Sequence, residues 1–218
     1  MTNHYWSGTQ IFGERSLHEQ LSRRAECVRR EVRDWKEDDF LKSPEDDVVS
    51  YLVDKYRVTC PVLLRDDRTM HPARDTHVVV EDLVGRRRER PATHLTFVIP
   101  FTGDDEVFTL RPDTWSEREW STRIRDGELH ISWTGQSGDV DGAHRHLEAE
   151  LVELDRHLVW ARQIIDPHNA QLEPTTRKLA ADRRAKLLND RGMEAALGIP
   201  VRRRQAPRSC PRPSPVAR

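Results

Sequence analysis

The sequence predicts an α+β fold: a small, mainly antiparallel sheet flanked by N-terminal helices and a long C-terminal antiparallel helical hairpin. Three observations predict it. Apolar residues recur at helical spacing over 16–57, alternate with polar ones over 61–134, and form a leucine stripe in steps of four and three over 143–190. A single domain over 10–200 follows, with 201–218 expected as a disordered basic tail rich in Arg and Pro.

The first helix begins near Ser16, because SLHE is a capping box and Leu17, Leu21, Cys27 or Val28, Val32 and Trp35 recur at helical spacing. A second starts after Ser43, with Pro44 suited to the first turn, acids at Glu45, Asp46 and Asp47, and an apolar face of Val48, Val49, Leu52, Val53 and Tyr56. After Pro61, the segments VLLR, THVVVEDLV, THLTFVI, EVFTL and ELHISW read as strands. Leu95, Phe97 and Ile99 share one face with His94, Thr96 and Val98 on the other; Leu129, Ile131 and Trp133 repeat the alternation. VIPFTGDDEVF reads as a hairpin turning at Gly103 and Asp104. In TWSEREW, Ser116 and Glu119 form a capping box inside a Trp115–Trp120 staple, which predicts a short helix stopped at Asp126-Gly127. Leu147, Leu151, Leu154, Leu158 and Ile165 then stripe a long helix; Pro167 marks a bend, and Leu172, Leu179, Leu187 and Leu188 predict a second helix running back.

Charge is unevenly distributed. The 218 residues carry a net charge of -1, yet Thr176 to Arg218 holds 12 Arg and Lys against 3 Asp and Glu, so the preceding body is acidic. Leu, Ile, Val and Phe supply 49 residues, a lean core. No apolar run reaches the length of a membrane span, the opening MTNHYWSGTQ lacks a secretory pattern, and three cysteines without a CxxC fit a cytoplasmic protein without a disulfide scaffold.

No dinucleotide fingerprint, Walker A motif or nucleophile elbow accompanies a strand, so no cofactor is expected. His71, Asp75 and His77, with Glu81 beyond them, are the nearest approach to a metal or acid-base site, but a polar loop explains that spacing better. His146, Glu150, Glu153 and His157 stripe one helix face and read as solvated. Cys27 and Cys60 sit among apolar residues and read as core, as do most of the tryptophans. Two basic clusters suit phosphate: Arg86, Arg87, Arg88 and Arg90 in a loop between strands, and Arg202, Arg203 and Arg204 in the tail.

VIPFTGDDEVFTLRP, HNAQLEPTTRKLAADRRAKLL and LGIPVRRR together resemble N-terminal modules of multidomain prokaryotic proteins, including phage-defence and restriction-type proteins. The resemblance covers the order of elements over 10–204. It implies a linker to a separate effector starting at LGIPVRRR; with the chain ending at Arg218, it implies a stand-alone sensor or adaptor, and it carries over no catalytic residue. The leading expectation is therefore a non-catalytic interaction or regulatory module, with a protein partner or second copy on the coiled-coil-like stripe Leu147, Leu151, Leu154, Leu158 and Ile165. A nucleic-acid-binding protein using the 85–90 loop and the tail is the alternative, and a metal-dependent nuclease the third reading.

Overall fold

The computed structural model describes residues 9–13, 15–81, 85–115 and 118–198, with side chains from residue 11 onward. Their elements run in the order β1 (Thr9–Gln10), α1 (Leu17–Asp34), α2 (Glu37–Lys42), α3 (Glu45–Tyr56), β2 (Val62–Leu63), β3 (Thr69–Met70), β4 (Arg74–Glu81), β5 (Arg87–Thr102), α4 (Glu106–Thr109), β6 (Thr122–Arg125), β7 (Glu128–Gln136) and α5 (Val140–Leu197). Helix and antiparallel strand are mixed, as the sequence predicts.

Ser16 caps the start of α1 as predicted, its hydroxyl accepting from the Glu19 amide at 3.3 Å, and Leu17, Leu21, Val28 and Val32 are buried along the predicted stripe. A six-residue helix, α2, separates α1 from α3 and buries Phe40. Its final carbonyls are taken up from outside, since the Arg184 guanidinium donates to the carbonyls of Phe40, Leu41 and Ser43.

The sheet is organised around β5, 16 residues long. One edge of β5 pairs in turn with β4, β3 and β2, and the other with β7, which pairs with β6, which pairs with β1; every pairing is antiparallel. Because β7 reaches β5 only over Ala92–Pro100, the stretch from Arg87 to Pro91 pairs with β4 alone and extends the sheet as a two-stranded ribbon.

Three elements differ from expectation. EVFTL is not a strand: Glu106–Thr109 forms one helical turn that buries Val107 and Phe108. The segment before it is pinned to residues 59–61 rather than paired as a hairpin, since Asp104 exchanges hydrogen bonds with Thr59 at 2.9 and 2.8 Å. Gly103, at φ 93°, packs there so closely that a Cβ would lie 3.0 Å from backbone atoms of Thr59, Cys60 and Pro61. The predicted helix over 116–126 is replaced, in its described part, by strand β6, and Asp126-Gly127 is the turn of the β6–β7 hairpin. Both turn residues have positive φ, 53° and 79°, the signature of a two-residue primed turn. Ser116 lies outside the described residues.

The third difference is the largest. The predicted hairpin over 143–190 is one continuous helix: α5 runs 58 residues, through both Pro167 and Pro174. Both prolines are exposed, so the carbonyls they leave without an intrahelical donor face water, which removes much of the cost of a helical proline. No return helix is needed because α1 and α3 supply the cover. Leu147, Leu151, Leu154 and Leu158 pack on Ile99, Leu129 and Ile131 of the sheet, Ala161 and Ile165 on Leu17, Leu21 and Val107, and Ala180 and Leu187 on Val32, Phe40, Val49 and Leu52. Asn169, two residues after Pro167, fastens the helix midpoint by bonding both backbone groups of Val58, at 3.1 and 2.7 Å. Among the described residues no helix is long and apolar enough to cross a membrane. The tail over 201–218 lies outside the described residues.

Candidate nucleic-acid interface

Strand alternation sorts the charges of the β4–β5 ribbon. The register pairs Arg74 with His94, Thr76 with Ala92, Val78 with Arg90 and Val80 with Arg88, so these residues share one face. The other face receives Asp75 opposite Thr93, His77 opposite Pro91, Val79 opposite Glu89 and Glu81 opposite Arg87. All three described acids of the ribbon therefore lie on one side and three of its four strand arginines on the other. Arg87, on the acidic side, has Glu81 for a neighbour at 3.9 Å.

The basic face continues across the sheet. Thr96 pairs with Ser132, Val98 with His130, and His130 with Arg123, while Arg125 pairs with Glu128 at the far end. His71, whose amide bonds the Thr96 carbonyl at 2.9 Å, stacks on His130 with ring centroids 5.5 Å apart. The His94 ring lies 2.8 Å from the Thr134 hydroxyl and 3.3 Å from that of Thr96. The opposite face carries Phe97, Ile99, Leu129 and Ile131 and is covered by α5. Burial of inward residues against the helix thus dictates that Arg74, Arg88, Arg90, Arg123 and Arg125, with three histidines, several hydroxyls and the acid Glu128 at the far end, share the outer surface.

Two of those histidines are biased toward the neutral ring. Partial burial pushes the His94 pKa down, with Arg74 adding to the effect. Burial does the same to His130, helped by His71 and Arg125 and opposed by Glu128 and Asp126. At neutral pH the face offers guanidinium groups for phosphate oxygens together with neutral imidazole and hydroxyl donors. Such a set is chemically suited to an anion, and among the described residues of this face no nucleophile is paired with a base.

The other predicted residues fall elsewhere. Leu147, Leu151, Leu154, Leu158 and Ile165 are no more than 5% exposed, so the stripe expected to meet a partner is covered by this chain's own sheet and by α1. Arg86 sits in the β4–β5 turn beside Gly85; Arg87, Arg88 and Arg90 are strand residues rather than loop residues; Arg202, Arg203 and Arg204 lie outside the described residues. His71, Asp75, His77 and Glu81 do not converge: Asp75 and Glu81 are six strand residues apart, about 20 Å, and on the face opposite His71. Among the described residues no three His, Cys, Asp or Glu side chains are placed to hold a metal ion.

The stripe His146, Glu150, Glu153 and His157 is not a solvated face. Glu150 is buried, accepting from Arg118 and, at 2.7 Å, from the buried Thr122 hydroxyl. His157 is fully buried between Phe12, Trp120 and Trp160, with ring centroids 4.6 to 5.0 Å away. His146 bonds the Ser132 carbonyl at 3.0 Å, and Glu153 pairs with Arg156. Cys27 and Cys60 are half-buried; burial pushes the Cys60 thiol up, which disfavours the thiolate a nucleophile requires. Arg74, His94, Arg123, Arg125 and His130 escaped the sequence reading. The signal for Arg88, Arg90 and His94 was present as an even-numbered alternation along one strand; that for Arg123 and Arg125 required recognising Asp126-Gly127 as a hairpin turn.

No protein-family model matches the chain, and neither the curated proteins nor the solved structures return a match.

Proposed function

We propose that this protein is a non-catalytic nucleic-acid-binding module that engages the phosphate backbone through the outer face of its sheet, with the β4–β5 ribbon as the leading edge. The observation that carries the reading is the sorting of charge in the ribbon: Arg74, Arg88 and Arg90 on one face, Asp75, Glu81 and Glu89 on the other. Solubility alone calls for mixed charge on both faces. A face that attracts polyanion calls for the acids to be turned away. A two-stranded ribbon is also narrow enough to enter the major groove of a duplex, which favours double-stranded DNA as the ligand.

The test is fluorescence anisotropy of the full chain with a labelled duplex and a labelled single strand of equal length, titrated over a range of salt. Arg88→Ala with Arg90→Ala removes two cations about 7 Å apart on one strand face. Each phosphate contact contributes about 0.9 to the slope of log K against log salt on duplex DNA, so the double variant is expected to flatten the slope by about 1.8. Arg87→Ala, on the acidic face, is expected to leave it nearly unchanged. Absence of binding, or equal slopes for all three proteins, refutes the reading.

A further inference from the structure

We propose that the groove between α1 and α3 seats an arginine- and proline-rich segment, residues 205–218 of this same chain. The groove encloses about 530 Å³ and is lined by Glu31, Asp34, Trp35, Ser43, Asp47, Val48 and Tyr51. It has nothing in common with the cationic sheet face and its occupant is independent of the nucleic-acid reading.

The lining states what it accepts. Trp35 and Tyr51 meet edge to face, ring centroids 5.7 Å apart, and Tyr51 is 48% exposed, so aromatic surface is presented to the groove. Aromatic walls of this kind receive proline rings from an extended polyproline segment, and a guanidinium group stacks on the same faces. The rim is acidic. Burial works to raise the Glu31 carboxyl, but hydrogen bonds from Lys55, Tyr56 and Tyr51 outweigh it and hold the group below the usual carboxylate range. Arg33 holds Asp34 ionised by a direct hydrogen bond, and Asp47 stands on the α3 side. Lys55, Arg33, Arg30 and Arg183 stand around these acids, but the groove lining itself holds three carboxylates and no base, so a partner with cations and no acids meets carboxylates at the wall.

Residues 199–218 contain six arginines and five prolines and no Asp or Glu. Geometry selects which of them arrive. The Ser43 carbonyl at the groove is bonded by Arg184 of α5 at 2.6 Å, so the groove lies level with that turn of the helix. From Arg184 to Leu197 α5 advances about 20 Å farther. Gly198 then ends it in the left-handed conformation, φ 61°, which turns the chain off the helix axis. Returning about 20 Å takes about six extended residues, 199–204, and brings Pro207, Arg208, Pro211, Arg212, Pro213 and Pro215 to the aromatic walls. A tether this short gives an effective concentration of about 1 mM, so an intrinsic Kd of about 100 µM keeps the segment seated roughly nine-tenths of the time.

The test uses the full chain and two readouts. Tryptic cleavage after Arg208, followed by mass spectrometry, is expected to be about tenfold slower in the native protein than in Asp34→Lys/Asp47→Lys, and to accelerate in the native protein at high salt. In a chain carrying Cys27→Ser and Cys60→Ala, a nitroxide on Cys210 is expected to broaden the Trp35 indole resonance selectively, with Trp133 on the sheet as the unaffected reference. Tyr51→Lys supplies a second variant should the charge reversal disturb folding. Equal cleavage rates in native and variant proteins, an unbroadened Trp35 signal, or broadening that scales with protein concentration and so reports a second copy, each overturns the proposal.

Discussion

Lowering the pH from 7.5 to 5.5 tightens nucleic-acid binding if the sheet face is the interface. The groups concerned are His94 and His130, whose rings burial biases toward neutrality in the free protein. Arg74 faces His94; His71, Arg125, Glu128 and Asp126 face His130. A phosphate placed over the face favours the protonated rings, so binding takes up protons and affinity rises as pH falls through the bound-state values. Two added cations raise the number of neutralised phosphates by up to two. At about 0.15 M salt each is worth about fivefold, so the gain approaches 30-fold, and the salt slope steepens by about 1.8. Anisotropy titrations at fixed ionic strength measure it, with circular dichroism confirming that the fold survives at pH 5.5. His94→Gln/His130→Gln is expected to remove most of the increase while keeping the affinity at pH 7.5. An affinity that is flat or falls with acidification, or a gain that persists in the double variant, refutes the assignment of this face.

Other outcomes follow from the core. Arg118→Ala leaves the Glu150 carboxylate buried with only Thr122 as a partner, an expected loss of about 3 kcal/mol and a Tm lower by roughly 6–12 °C, whereas Glu150→Leu combined with Arg118→Met restores much of it; a double-mutant cycle by thermal denaturation measures both. Burial lowers the His157 pKa below its unfolded value near 6.5, so its neutral, buried ring stabilises the fold fully above that pH and this contribution is lost as pH falls through the lower folded value. His157→Leu should accordingly flatten the acid limb of a stability-versus-pH curve measured in urea. Leu154→Ala, at a fully buried position against the sheet, is expected to cost about 2–5 kcal/mol and to leave the oligomeric state seen by light scattering unchanged, since that stripe faces inward.

Local signals were read well where the chain itself supplies the partner. The Ser16 N-cap, the α3 start after Ser43 and the alternation along THLTFVI and ELHISW all appear in place, because caps and two-residue periodicity are decided within a few residues. Two misreadings were correctable from the sequence. Asp126-Gly127, flanked by the alternating TRIR and ELHIS, is a hairpin signal stronger than the capping box at Ser116 that competed with it. EVFTL is apolar enough for a strand but lacks strict alternation, and it follows Asp104, which two hydrogen bonds tie to Thr59. The candidate interface was half legible: the arginines were visible, but their division between two faces depends on register, which no single strand reveals.

By itself the sequence determined the elements that cap, alternate and stripe, the acidic body with its basic end, and the presence of arginines between two strands. Tertiary structure alone decided where each stripe found its cover. Pro167 and the leucines beyond it are compatible with a bend or with a straight helix; α1 and α3, lying alongside, bury Ile165, Ala180 and Leu187 without a return, and exposed prolines then cost little. That same cover turned the leucine stripe from a surface for a partner into core. With α5 on the inner face of the sheet, Arg74, Arg88, Arg90 and His130 were left on the outer one, and a scattered set of cations became a surface.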